Sequence, residues 1–159
     1  VASDEGYSAG SIVCNQNTDA YIRPVAIPFS IVFTSPQIVN VGMTQQEIED
    51  DPDLEYVIGK VSFDNQGRSR IMGVNCGLLH IYGCKETDKV LGASMVGPDA
   101  EYIGHILANA ITNEICVKQL LDTPFYHPTI LEGLRTALRD VQHKMAIPYQ
   151  SLDAQEDGF

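Results

Sequence analysis

The strongest constraint on this chain is a series of short β-branched and aromatic segments between residues 27 and 97, each closed by a turn. Residues 27–34 (IPFSIVFT) read as a strand, and Ser35-Pro36 breaks it. Residues 37–41 form a second short strand and 56–63 a third. Asn65-Gln66-Gly67 reads as a turn, with strands expected over 69–72 and 77–82. A polar turn at 85–89 leads into a last strand at 90–96, which Gly97-Pro98 stops. Connections this short favour antiparallel pairing, because parallel strands need a long crossover. Between the second and third strands, Thr44 and Glu47 stand at N-cap and N3 spacing, a capping box that predicts a helix over 44–49.

Beyond residue 98 the period changes. Ile103, Ile106, Leu107, Ala110 and Ile111 recur on one helical face, and Thr112-Asn113 ends it. A single helical turn over 117–121 stops before Pro124. Ile130, Leu134, Leu138, Val141 and Met145 then mark a longer amphipathic helix. Strands followed by helices predict an α+β fold, an antiparallel β-sheet backed by helices. Three segments are expected: 1–20 as a helix and linker of small and polar residues, 21–146 as the folded domain, and 147–159 as an acidic, disordered tail. In the first segment Ala2, Gly6, Ala9 and Gly10 sit at near-helical spacing, with no obvious counterpart for their small face. The chain opens with Val rather than Met, which suits a piece of a longer polypeptide.

Charge narrows the partners. Ten Lys and Arg face 21 Asp and Glu, a net charge of −11. With no basic cluster to displace counterions, DNA and RNA are poor partners. No apolar run is long enough for a membrane helix, so no membrane partner is expected. The four cysteines, at 14, 76, 84 and 116, have no zinc-ligand spacing and are too few for a disulfide scaffold. They read as small buried hydrophobes in a reducing cytoplasm, although Cys76 and Cys84 flank one strand and could approach each other. The acidic run 47–53 lacks the alternating ligands and central Gly of a calcium loop, and no metal site is expected.

The most informative stretch for chemistry is Tyr126-His127-Pro128-Thr129-Ile130-Leu131-Glu132. Pro128 suits the first position of a helix, which sets His127 at the entrance and Glu132 about one turn in. A carboxylate there can reach a ring nitrogen of His127 and decide which nitrogen keeps a free lone pair. The result would be a general base working near neutral pH. The spacing also fits an ordinary proline-started helix with a satisfied loop histidine. His80 in a strand, His143 near a helix end and His105, an i,i+4 ion-pair partner for Glu101, read as structural. No G-x-G-x-x-G, P-loop or G-x-S-x-G occurs.

Three stretches in order resemble the C-terminal interface domain of pyridine nucleotide-disulfide oxidoreductases: 27–42 (IPFSIVFTSPQIVNVG), 91–97 (LGASMVG) before a helix, and 126–132 (YHPTILE). Together they cover residues 26–145, and the branch most similar is dihydrolipoamide dehydrogenase, with glutathione and mercuric reductases sharing the domain. Residues 1–10 resemble the helix that follows the last flavin-binding motif of the preceding domain. The resemblance implies a homodimer with shared active sites. His127 would act as acid–base for dithiol–disulfide exchange on the partner subunit, with Glu132 orienting it. Both are the candidate catalytic residues. The main chain at His127 and Pro128, across a cis peptide bond, would lie near the partner's flavin. FAD and NAD belong to the full-length parent, whose flavin domain, nicotinamide domain and Cys-x4-Cys are absent from this sequence. No cofactor is expected on the chain alone, which would be inert toward NADH and lipoamide. A free-standing, non-catalytic binding module is the competing expectation.

Overall fold

The computed structural model describes residues 2–14 and 27–145. The element order is α1 (Ala2–Cys14), β1 (Phe29–Val32), β2 (Gln37–Gly42), α2 (Gln45–Glu49), β3 (Tyr56–Ser62), α3 (Gly67–Met72), β4 (Leu78–Cys84), β5 (Val90–Gly97), α4 (Ala100–Thr112), α5 (Val117–Leu121) and α6 (Glu132–Lys144). The strands form one sheet in the order β1-β2-β5-β4-β3, antiparallel throughout. The fold is therefore α+β, as the turn spacing requires. The acidic tail and the boundary near residue 20 lie outside the described residues.

Register sorts the two faces. Ile31, Val39, Met95, Leu79 and Val61 stand in one cross-strand row, and Phe29, Val41, Ala93, Ile81 and Gly59 in the next on the same face. Helix α4 covers that face over β1, β2 and β5, and α6 covers it over β3 and β4. Leu107 of α4 and Leu134 and Leu138 of α6 are almost fully buried there. Truncating such a leucine to Ala typically costs about 2–5 kcal/mol. A Cβ on Gly59 would collide with the Ala137 carbonyl and with Val141, so glycine is what lets α6 lie directly on β3. The other face carries the row Val32, Ile38, Val96 and Leu78, in which Val32, Val96 and Leu78 are exposed.

Edge strand β3 is closed from the helix side. Lys144 Nζ donates to the Ile58 carbonyl at 2.7 Å, and the Lys60 N–H donates to Asp140 Oδ2 at 2.8 Å. An edge whose free donors and acceptors are occupied is a poor template for further strands.

Three expectations fail locally. Residues 69–72 are not a strand, and 65–67 are not a simple turn, because α3 spans Gly67–Met72. Gln66 Oε1 accepts from the Ser69 N–H at 2.7 Å, and Gly73 ends the helix in the left-handed region at φ 68°. The apolar pair that suggested a strand, Ile71 and Met72, stays exposed. β1 is also shorter than 27–34, since it ends at Val32 and Thr34 turns its hydroxyl to the Pro36 carbonyl. The capping box is present as expected. Thr44 Oγ1 accepts from the Glu47 N–H, and the Thr44 N–H donates to Glu47 Oε2.

Candidate functional site

The loop from residue 122 to 131 joins α5 to α6 and carries His127. Three contacts hold it: one from the body, one within the loop and one at the start of α6. Gln66, already capping α3, donates through Nε2 to the Thr129 carbonyl at 2.7 Å. Thr129 Oγ1 donates to the Tyr126 carbonyl at 2.8 Å, closing the turn around His127. The start of α6 sits on Phe63, which is fully buried, and a Cβ on Gly133 would fall 2.7 Å from its ring. The His127–Pro128 bond is cis, as the resemblance implied.

Pro128 is not the first helical residue. The helix begins at Glu132, with Leu131 at its N-cap and no side-chain cap. The Glu132 carboxylate turns back into the loop. The Thr129 N–H donates to Glu132 Oε2 at 3.0 Å, and Arg135 Nη2 donates to Oε1 at 3.1 Å. His127 Nδ1 lies 3.0 Å from both oxygens. The Arg135 guanidinium carbon stands 5.8 Å over the Phe125 ring.

The electrostatics follow from these contacts. Burial pushes the Glu132 carboxyl up, but the hydrogen bonds from His127 and Thr129 and the charges of His127 and Arg135 outweigh it and hold the group below its ordinary value. An ionised carboxylate only accepts, so Nδ1 of His127 carries a proton in either charge state, and in the neutral ring Nε2 keeps its lone pair. The Glu132 side chain is 15% exposed and the His127 side chain 79%. The acid is enclosed and the base is presented to the outside.

Other histidines are held differently. His105 is not an ion-pair partner of the Glu101 carboxylate. Its Nδ1 lies 2.7 Å from the Glu101 carbonyl, and its ring meets Phe29 edge to face with centroids 5.0 Å apart. His80 lies opposite Lys60 and Ser94 in the sheet. Burial, then the charges of Lys60 and Lys144, lower its pKa below the ordinary value. Of the cysteines only Cys84 is buried, while Cys14 and Cys76 are exposed. The expectation of buried thiols fails for these two because neither sits on the helix-covered face of the sheet. Among the described residues no cluster of three or more His, Cys, Asp or Glu could hold a metal ion. No helix among them is long and apolar enough to cross a membrane.

Sequence reasoning missed Arg135, Thr129 and Gln66. Arg135 was visible as a charge three residues after Glu132, while Gln66, 63 positions from Thr129, had no local signal. The cleft of about 420 Å³ between 34–37 and 72–76 is lined by no basic side chain and by one acid, Asp99.

An antiparallel sheet, helices on one face and a loop histidine braced by a helix-start carboxylate define an α+β domain with an exposed imidazole at its surface. Residues 28–138 match the family model described as pyridine nucleotide-disulphide oxidoreductase, dimerisation domain, and the chain belongs to that family. It is 29% identical over 139 residues to mitochondrial dihydrolipoyl dehydrogenase of Canis lupus familiaris, covering 86% of this chain and 26% of that protein. It is 31% identical over 143 residues to soluble pyridine nucleotide transhydrogenase of Pseudomonas fluorescens, covering 87% and 30%. In fold it is similar to the Cu(II) complex of the HOCl-induced flavoprotein disulfide reductase RclA from Escherichia coli, with a TM-score of 0.75 at 19% identity over 87% of this chain and 31% of that one. It is likewise similar to LpdA from Mycobacterium tuberculosis, with a TM-score of 0.74 at 23% identity over 87% and 30%. The chain thus spans less than a third of the length of these proteins.

Proposed function

We propose that this chain is the dimerisation domain of a dihydrolipoamide dehydrogenase-like oxidoreductase and lends His127 to a dithiol–disulfide centre on the partner subunit. The observation that carries this reading is the division of labour at the site, an enclosed carboxylate on Nδ1 and a ring that is 79% exposed. A base meant for its own body has no reason to stand out from it. In this role Nε2 takes the proton of a substrate thiol. The thiolate attacks one sulfur of a disulfide, a new S–S bond forms, and the displaced sulfur leaves as thiolate. The imidazolium, stabilised by Glu132, returns its proton to a thiolate at the end of the exchange. FAD and NAD are the cofactors of the assembled protein in this reading, held on other domains, and the protein works as a homodimer in the cytoplasm.

The likeness to a transhydrogenase supports a second reading, hydride transfer between pyridine nucleotides without a dithiol. Steady-state assays of the polypeptide that carries this chain with its flavin and nicotinamide domains separate the two. Dithiol-dependent NAD reduction that collapses in His127→Ala supports the first. Nucleotide-to-nucleotide transfer indifferent to His127→Ala, with no dithiol turnover, supports the second and removes the assigned role.

A further inference from the structure

We propose that Arg135 is a positioning residue for the His127–Glu132 pair, fixing the carboxylate so that the imidazole is held as one tautomer in one orientation. The inference rests on the acid–base reading of His127 given above. Three donors define the plane of the Glu132 carboxylate. The Thr129 N–H, fixed by the backbone, holds Oε2, and Arg135 Nη2 holds Oε1. The imidazole N–H lies between them at 3.0 Å from each oxygen. With only the Thr129 contact, the carboxylate could rotate about its last bond and offer His127 a single oxygen in varied directions. The second anchor removes that freedom.

Arg135 is itself anchored at both ends of the loop. Its guanidinium lies over Phe125, two residues before His127, within cation–π range. The same group reaches Glu132, five residues after His127. One planar side chain therefore spans the segment that carries the base. At 32% side-chain exposure it is sheltered enough to hold a fixed geometry, unlike a free surface arginine. Lysine could supply the charge but not the planar group that stacks and donates in one direction.

The test uses the 159-residue chain itself, with nitrogen-15 and carbon-13 NMR of the His127 ring and the Glu132 carboxyl. The wild type is expected to show the Nδ1–H tautomer and a Glu132 titration midpoint below the ordinary carboxylate value. Arg135→Met keeps apolar contact with Phe125 and is expected to give a mixture of tautomers and a raised Glu132 midpoint. Arg135→Lys should restore the midpoint more fully than the single tautomer. In the full-length protein, Arg135→Met should lower kcat for dithiol exchange by about tenfold with KM little changed, short of the ~10²–10⁴-fold carried by the base itself. An unaltered tautomer and an unaltered Glu132 midpoint in Arg135→Met would overturn the positioning role. If both change but dithiol turnover ignores His127→Ala, positioning stands and the acid–base reading of the domain fails.

Discussion

His127 and His80 both lie near charged groups, but of opposite sign. The loop histidine has a sheltered carboxylate on one nitrogen and the outside on the other. The sheet histidine is half-buried between Lys60 on its neighbouring strand and Lys144 on α6. A carboxylate stabilises a ring that must take up a proton, whereas cations and desolvation keep a ring neutral. The difference teaches what sets a candidate base apart in one chain. Being a histidine, or being near a charge, is not enough. The sign of that charge and the freedom of the second nitrogen decide.

The sharpest way to break the contrast is to remove each ring in turn from the flavin- and nicotinamide-bearing polypeptide of the proposed function. His127→Ala should lower dithiol–disulfide turnover by about 10²–10⁴-fold while leaving flavin absorbance near normal. His80→Ala should leave turnover within about twofold, as for a residue away from the chemistry. Glu132→Gln, which keeps shape but loses charge, should fall between them. Equal effects at positions 127 and 80, read by stopped-flow oxidation of a dithiol, would abolish the distinction.

Backbone packing offers a second, smaller lever. Gly133→Val drives a side chain into Phe63 beneath the His127 loop, and Gly59→Val drives one into α6 beneath the strand that neighbours His80. Each should cost about 1–3 kcal/mol by urea denaturation. Chemical shifts should separate the two: Gly133→Val should move the His127 ring signals and spare those of His80, and Gly59→Val should do the reverse. Movement of both rings by both substitutions would show that the regions are not independent.

How much of this was readable beforehand depends on the range of the signal. The strands and the helix period were legible because alternation and 3.6-residue spacing report burial locally. Val39, Val41, Ile81 and Leu138 lie on the buried face that those patterns imply. Helix α3 was not legible, because Ile71 and Met72 look like strand residues yet point outward, and the helix is fixed by the polar contacts of Gln66 and Ser69. The start of α6 was misplaced for a related reason. The proline rule describes an isolated helix, whereas here Glu132 gives its oxygens to Thr129 and His127 and leaves Leu131 as the cap. The pairing of His127 with Glu132 was readable from spacing. The bracing by Arg135 and Gln66 required the fold.

The smallest expected effect is in the pH dependence of stability, where the two regions titrate in separate windows. The pKa of His80 is lowered in the folded state from its ordinary 6.5, so the unfolded chain binds the proton first as pH falls. Stability therefore declines with acidification, beginning near 6.5 and continuing down to the folded value, and His80→Gln should flatten that part of the curve. The Glu132 carboxyl is also lowered in the fold, from 4.5. Its contribution is complete above that value and is lost as pH falls through the folded one, so Glu132→Gln should alter only the more acidic part of the curve. Glu47 and Glu114 are lowered as well, by Thr44 and Lys89, so the acidic window must be read as a difference between variant and wild type. Thermal unfolding from pH 8 to pH 3 checks both signs. If His80→Gln changed only the acidic window, burial and the lysines beside His80 would not be setting its charge, and the electrostatic half of the comparison would fall.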